Sequence, residues 1–146
     1  MGVKFKAVQW NHSVSKPRVI RAIHTENWKK IVYPLTGKTF VAIADVREDS
    51  PDFGKVETFI FDCTKENPVR SALLLPPGIG NSICALGSKE VNYMYLVEEY
   101  WDNSKASGIA WNDPDLNISW PVKNPIISDR DRANPTLREQ FPNKFT

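Results

Sequence analysis

Residues 40 to 97 fall into short β-rich runs, each too brief for a helix of ordinary length and each bounded by turn chemistry. The clearest is the last of them. Val91, Tyr93, Tyr95 and Val97 alternate with Asn92, Met94 and Leu96, so a strand there carries both tyrosines on one pleated face, between valines. Residues 40–46, 56–61, 72–75 and 82–86 have the same β-branched and aromatic character. Thr36-Gly37, Asp49-Ser50-Pro51, Pro76-Pro77-Gly78 and Leu86-Gly87-Ser88 supply the turns. Many short strands at this spacing predict a sandwich or barrel, and eleven prolines argue against a helical bundle. A helix signal is found only near the end, where Asn134 as N-cap and Pro135 as first helical residue predict a short helix over 136–140. The expected fold is all-β, a jelly-roll barrel with a short C-terminal helix.

A chain of 146 residues, 41% hydrophobic and 25% charged, makes one soluble domain with an ordinary core. Its net charge of +2 and the lack of a Lys/Arg run give no reason to expect nucleic acid as a partner. Cys63 and Cys84 lie in apolar, strand-like contexts and are expected as buried, reduced thiols. No run approaches the roughly 20 apolar residues that span a bilayer, and no signal segment opens the chain, so a cytoplasmic protein with no membrane partner is expected.

Histidine is scarce, which narrows the chemistry. His12 and His24 are the only two, and so small a set predicts no metal site. His24 is the candidate for proton transfer, because imidazole titrates near operating pH. Arg21 lies three positions earlier, and a regular strand would turn the two side chains to opposite faces. Both reach one pocket only if the chain bulges or the strand ends between them. Taken alone, Asp131 reads as a surface carboxylate just before a helix, Tyr95 as barrel filling and Lys30 as a solvated strand lysine.

The segment Gly108-Ile109-Ala110-Trp111-Asn112-Asp113-Pro114, with Ile118-Ser119-Trp120-Pro121 and Ile127-Ser128-Asp129-Arg130-Asp131 after it, adds a second line of reading. It resembles the C-terminal signature of the dTDP-4-dehydrorhamnose 3,5-epimerase family, cupins that epimerise nucleotide-linked 4-keto-6-deoxy sugars. Gln9-Trp10-Asn11-His12-Ser13, Arg21-Ala22-Ile23-His24, Lys30-Ile31-Val32, Asp45-Val46-Arg47, Ser50-Pro51-Asp52-Phe53-Gly54 and Leu75-Pro76-Pro77-Gly78 fall in the family's order, so the resemblance runs from Gln9 to Leu137. It implies one cupin domain over 1–146, with a core barrel over about 5–122 and a C-terminal flap and short helix over 123–146.

The resemblance also implies roles. His24 is the base that removes a proton alpha to the C4 ketone, and Asp131 orients it, with Asp129 as the competing carboxylate. Tyr95 returns a proton from the other face, with Tyr93 as the alternative. Lys30 sits near the C4 oxygen, with Lys29 as the competitor one residue away. Arg21 suits the diphosphate because guanidinium binds phosphate oxygens in a fork. Gln9, Asn11, Asn81 and Trp101 complete the substrate-binding set. His12 is expected to be structural, Asp45 and Arg47 to form a barrel-building pair, and Trp111, Trp120, Asn112 and Asp113 to fix the flap. No cofactor is expected, since the substrate's own ketone supplies the acidity. A homodimer packed sheet to sheet is the implied assembly.

Three departures bear on the activity. Gly80-Asn81-Ser82-Ile83 stands where the family usually carries Ala-His-Gly-Phe, so Asn81 replaces a pocket histidine, as in members acting on GDP-linked sugars. The stretch from His24 to Lys30 is short. The chain also reads as a short variant without the N-terminal segment whose Phe-x-Asp-x-Arg-Gly motif crosses the family's dimer. An epimerase at C3, C5 or both is therefore the first reading. A non-catalytic nucleotide-sugar-binding cupin and a related ketosugar isomerase are the alternatives.

Overall fold

The computed structural model describes residues 2–68, 70–102 and 104–146. The strands are β1 (Gln9–Ser15), β2 (Val19–Thr25), β3 (Lys30–Thr36), β4 (Lys38–Asp45), β5 (Val56–Asp62), β6 (Leu73–Leu75), β7 (Ile79–Leu86), β8 (Val91–Val97), β9 (Ser107–Gly108) and β10 (Ile126–Ile127). They form a four-stranded sheet in the order β1-β8-β3-β6 and a six-stranded sheet in the order β10-β2-β7-β4-β5, with β9 also on β2. This is the expected jelly roll. Val32, Val91 and Tyr93 of the smaller sheet meet Val41, Ile83 and Ala85 of the larger one in the apolar part of the barrel interior.

A second core lies on the other side of the larger sheet. Ile20, Ala22, Phe40, Ala42 and Cys84 face outward there and are covered by Ile109, Leu116, Ile127 and Leu137 from the C-terminal third. Asp113 is the peg of this cover: buried, it accepts the backbone N–H of Leu116 at 2.9 Å and of Leu137 at 2.7 Å. Trp120 donates its indole N–H to the Trp111 carbonyl at 2.8 Å and meets Phe40 edge to face. The expected anchoring role of Trp111, Trp120 and Asp113 is thus visible, while Asn112 is exposed.

The turn at Pro76-Pro77-Gly78 closes with Ile79 N–H donating to the Pro76 carbonyl, and Gly78 takes φ +76° there. A side chain on Gly78 would also run into Arg47. Asp45 and Arg47 form the expected structural pair, with Arg47 Nε donating to Asp45 Oδ1 at 2.9 Å.

The expected short C-terminal helix is present, one residue shorter than read and with a different cap, and another precedes it. Among the described residues the α-helices are α1 (Asp129–Arg132) and α2 (Leu137–Gln140), and a 3-10 turn at Pro142–Lys144 follows them. The N-cap of α2 is Thr136, not Asn134, because Thr136 and Glu139 close a capping box. Asn134 is used instead against Gly108 and the Ala22 carbonyl, and the Pro135 carbonyl accepts from Ala110 N–H at 2.7 Å. Helix α1 is capped by Ser128, whose hydroxyl accepts from Asp131 N–H at 3.1 Å. Both cysteines are free, but only Cys84 is buried; Cys63 sits half-buried in the turn after β5, where its N–H bonds Gly37.

Candidate active site

A cavity of about 350 Å³ lies inside the barrel. Gln9, Asn11 and Ser13 of β1, Lys30 of β3 and Tyr93 and Tyr95 of β8 line it from the smaller sheet. Arg21 and His24 of β2 and Asn81 and Ile83 of β7 line it from the larger sheet, and Glu26, Trp101 and Arg130 come from connections and α1. Every residue expected at the site except Asp131 borders this cavity directly, and Asp131 stands behind His24.

Of the two ways in which Arg21 and His24 could share a pocket, a bulge or a strand end, the bulge is the one present. Arg21 opposes Ile83 but His24 opposes Asn81, so β2 carries one extra residue between them. Ala22 and Ile23 both turn into the outer core, and each is fully buried. Their backbone groups find partners in the C-terminal third: Ile23 exchanges hydrogen bonds with Ile109, and Ala22 N–H donates to Asp131 Oδ2 at 3.2 Å. The other oxygen, Asp131 Oδ1, lies 2.8 Å from His24 Nε2. One carboxylate therefore holds the bulge and the imidazole together, leaving Nδ1 as the ring nitrogen for the cavity. Burial pushes the Asp131 carboxyl up, but the bond and charge of His24, the Ala22 N–H and Arg130 outweigh it and hold it below its ordinary value. Asp129 is exposed at the start of α1 and makes no such contact.

On the opposite wall, Lys30 is buried with its Nζ 2.5 Å from Glu26 Oε2 and 4.9 Å from the centre of the Tyr95 ring. Burial lowers its pKa against the opposing effect of Glu26. Lys29 points away, donating to the Lys4 carbonyl at 2.9 Å. Tyr95 is half-buried, and burial followed by the Glu26 charge raises its pKa. Tyr93 lies deeper, 3% exposed. Its hydroxyl and Asn81 Nδ2 are buried with no hydrogen-bond partner. Burial raises the Tyr93 pKa, with the nearby Asn81 amide opposing it.

Arg21 is exposed at the rim, tethered by Nε to Ser15 Oγ at 3.0 Å. Arg130 stacks over Trp101 at 5.3 Å, and Trp101 N–H donates to Gln9 Oε1 at 2.8 Å. Gln9 in turn donates to Asn11 Oδ1 at 2.8 Å. Two guanidinium groups on the same cavity suit an anionic ligand, and the amides and hydroxyls inside suit a polar one. Among the described residues no three His, Cys, Asp or Glu side chains converge on a metal-sized site. His12 pairs on the barrel exterior with Asn92 at 2.8 Å.

Two functional candidates are absent from the sequence reading. Glu26 sits two positions after His24, a spacing that returns a strand side chain to the same face. Arg130 was inside the matched C-terminal signature, between the competing aspartates. The Ser128-x-x-Asp131 pattern was also a capping signal for α1.

A model of the dTDP-4-dehydrorhamnose 3,5-epimerase family matches residues 1–139. A dTDP-4-dehydrorhamnose 3,5-epimerase of Shigella flexneri is 34% identical over 135 residues, covering 90% of this chain and 72% of that protein. Among solved structures, a 4-keto-6-deoxy sugar epimerase from the novobiocin cluster of Streptomyces spheroides superposes with a TM-score of 0.88 at 31% identity, over 95% of this chain and 69% of the other. The dTDP-4-dehydrorhamnose 3,5-epimerase of Bacillus anthracis, solved with TDP and pyrophosphate, gives 0.84 at 34% identity, over 92% and 77%. No helix of the described residues is long and apolar enough to cross a membrane.

Proposed function

The chain belongs to the dTDP-4-dehydrorhamnose 3,5-epimerase family, and from that premise we propose that it epimerises a nucleotide-diphosphate-linked 4-keto-6-deoxy sugar at C3, C5 or both. The observation that carries this reading is the opposition of His24, paired with Asp131 on the larger sheet, and Tyr95 on the smaller one, across a single cavity. A flat sugar between the sheets meets a base on one face and an acid on the other.

In this reading His24 Nδ1 takes the proton from the carbon alpha to the ketone. The electron pair moves onto the C4 oxygen, and the Lys30 ammonium stabilises the enolate. Tyr95 then protonates the carbon from the opposite face, inverting it. His24 leaves the step as imidazolium and Tyr95 as phenolate, and exchange with solvent resets both. Asp131 keeps the tautomer and stabilises the imidazolium. Arg21 and Arg130 take the diphosphate, Trp101, Gln9 and Asn11 line the approach, and Asn81 offers its free amide to a sugar oxygen. No step calls for a cofactor, and the whole of 1–146 acts as one cupin domain. A doubly charged nucleotide sugar does not cross a bilayer unaided, which fits a cytoplasmic enzyme.

The test is solvent deuterium. Wild-type protein with a nucleoside diphosphate 4-keto-6-deoxyhexose in D₂O should wash deuterium into the carbon alpha to the ketone and give inverted product. Tyr95→Phe should keep the wash-in and lose most of the inversion. Absence of both in the wild type would leave a binding cupin instead.

Assembly as a homodimer is part of the same reading. Trp10, Leu96, Ile31 and Leu74 are register neighbours in one row across the four strands of the smaller sheet, on the face turned away from the cavity. Trp10 is 69% and Leu74 38% exposed. A second copy would cover this row. Sedimentation of the wild type should give a dimer at about 10 µM, a concentration that populates ordinary interfaces, and Trp10→Asp should shift it toward monomer.

A further inference from the structure

Buried lysine is unusual, and among the described residues this one has a single counter-charge at hydrogen-bond distance. The Lys30 and Glu26 side chains are 6% and 9% exposed, with Nζ and Oε2 2.5 Å apart. An unpaired ammonium in such a position would tend to lose its proton. Glu26 lies just past the end of β2, while Lys30 opens β3, so the ion pair ties the two sheets together at the cavity wall. We propose that Glu26 is a positioning residue: its carboxylate fixes the Lys30 ammonium beside Tyr95 and keeps it charged, so that the substrate's ketone oxygen meets a preformed cation. The proposal rests on the epimerase reading given above.

Donor arithmetic supports it. An ammonium has three N–H donors, and the bond to Glu26 uses one, so two remain for an enolate oxygen. The carboxylate acts in the same sense on the neighbouring acid, since its charge disfavours the Tyr95 phenolate and keeps Tyr95 a proton donor. The other charged or titratable groups on this cavity are Arg130 from α1, Arg21 and His24 from β2, and Tyr93 from β8. Of these, Arg130 opposes the Lys30 charge. Glu26 therefore works against both burial and a neighbouring cation. A merely structural ion pair would not require that balance to fall on the reaction.

The experiment uses the full chain and two variants, Glu26→Gln, which keeps size and an acceptor oxygen, and Glu26→Asp, which keeps the charge. Lysine labelled at Cε is titrated by NMR, with the Lys30 signal assigned by its loss in Lys30→Arg. In Glu26→Gln the Lys30 titration should move to lower pH. The turnover profile with the nucleoside diphosphate 4-keto sugar should gain an alkaline limb that follows it, with kcat down on the order of 10²-fold above that limb and KM changed far less. Glu26→Asp should restore part of the profile. An unmoved Lys30 titration, or a moved titration with an unmoved turnover profile, overturns the proposal. Wild-type protein that neither exchanges deuterium nor turns over overturns the epimerase reading and the catalytic half of the proposal, while the NMR arm still decides whether Glu26 sets the charge on Lys30.

Discussion

The two faces of the six-stranded sheet are made of the same strands and do opposite work. Outward, Ile20, Phe40, Ala42 and Cys84 are sealed under the C-terminal third; inward, Arg21, His24 and Asn81 face a polar cavity. Along β4 and β7 this follows from alternation alone, since neighbours point to opposite faces. Along β2 it does not. There the bulge assigns both Ala22 and Ile23 to the outer core, and His24 recovers the inner face only because an extra residue has been spent outside. The outer cover also reaches through the sheet's edge, because Asp131 belongs to the flap yet pairs with His24. Through Asp131, which holds both Ala22 N–H and His24, the apolar side supports the candidate site and is not a separate stabilising layer.

The sharpest break between the faces comes from His24→Asn. Its kcat should fall by about 10²–10⁴, the range for a lost general base, with thermal stability close to wild type. A variant that turns over normally would remove His24 from the chemistry.

Leu137→Ala tests the other face. Leu137 is 1% exposed in the outer core and its N–H is held by Asp113. Truncation there should cost about 2–5 kcal/mol in denaturant unfolding. It should also lower kcat by less than His24→Asn, through looser placement of Asp131. Lost stability with wholly unchanged kcat would mean the two faces are independent after all.

The smallest effect is a control outside both faces. The Arg47 guanidinium holds the Asp45 carboxyl at about 2, below the usual 3.8, with further bonds from Ser50 and the Arg47 N–H. A lowered folded-state pKa contributes stability that is present above about pH 4 and is lost as pH falls toward 2. Asp45→Asn should flatten that acid limb slightly, without altering turnover near neutral pH. A matching loss of activity would extend the site to this turn.

Several features were legible from residue order alone. The alternation at 91–97 placed both tyrosines inside, the Pro76-Pro77-Gly78 turn formed as expected, and the spacing of Arg21 and His24 called for a bulge or a strand end, of which the bulge is there. These are local matters, decided by pleat, steric preference and turn chemistry, which act over a few residues. Other features depended on how distant segments pack. Which aspartate meets His24 depends on a contact 107 residues apart, and Asp131 wins over Asp129 because the turn of α1 after Ser128 buries one and exposes the other. The family resemblance already put Lys30 at the site, but its burial and its pairing with Glu26 were invisible. Burial and charge pairing across sheets depend on what the rest of the chain brings alongside, and a local pattern of residue types carries no record of that.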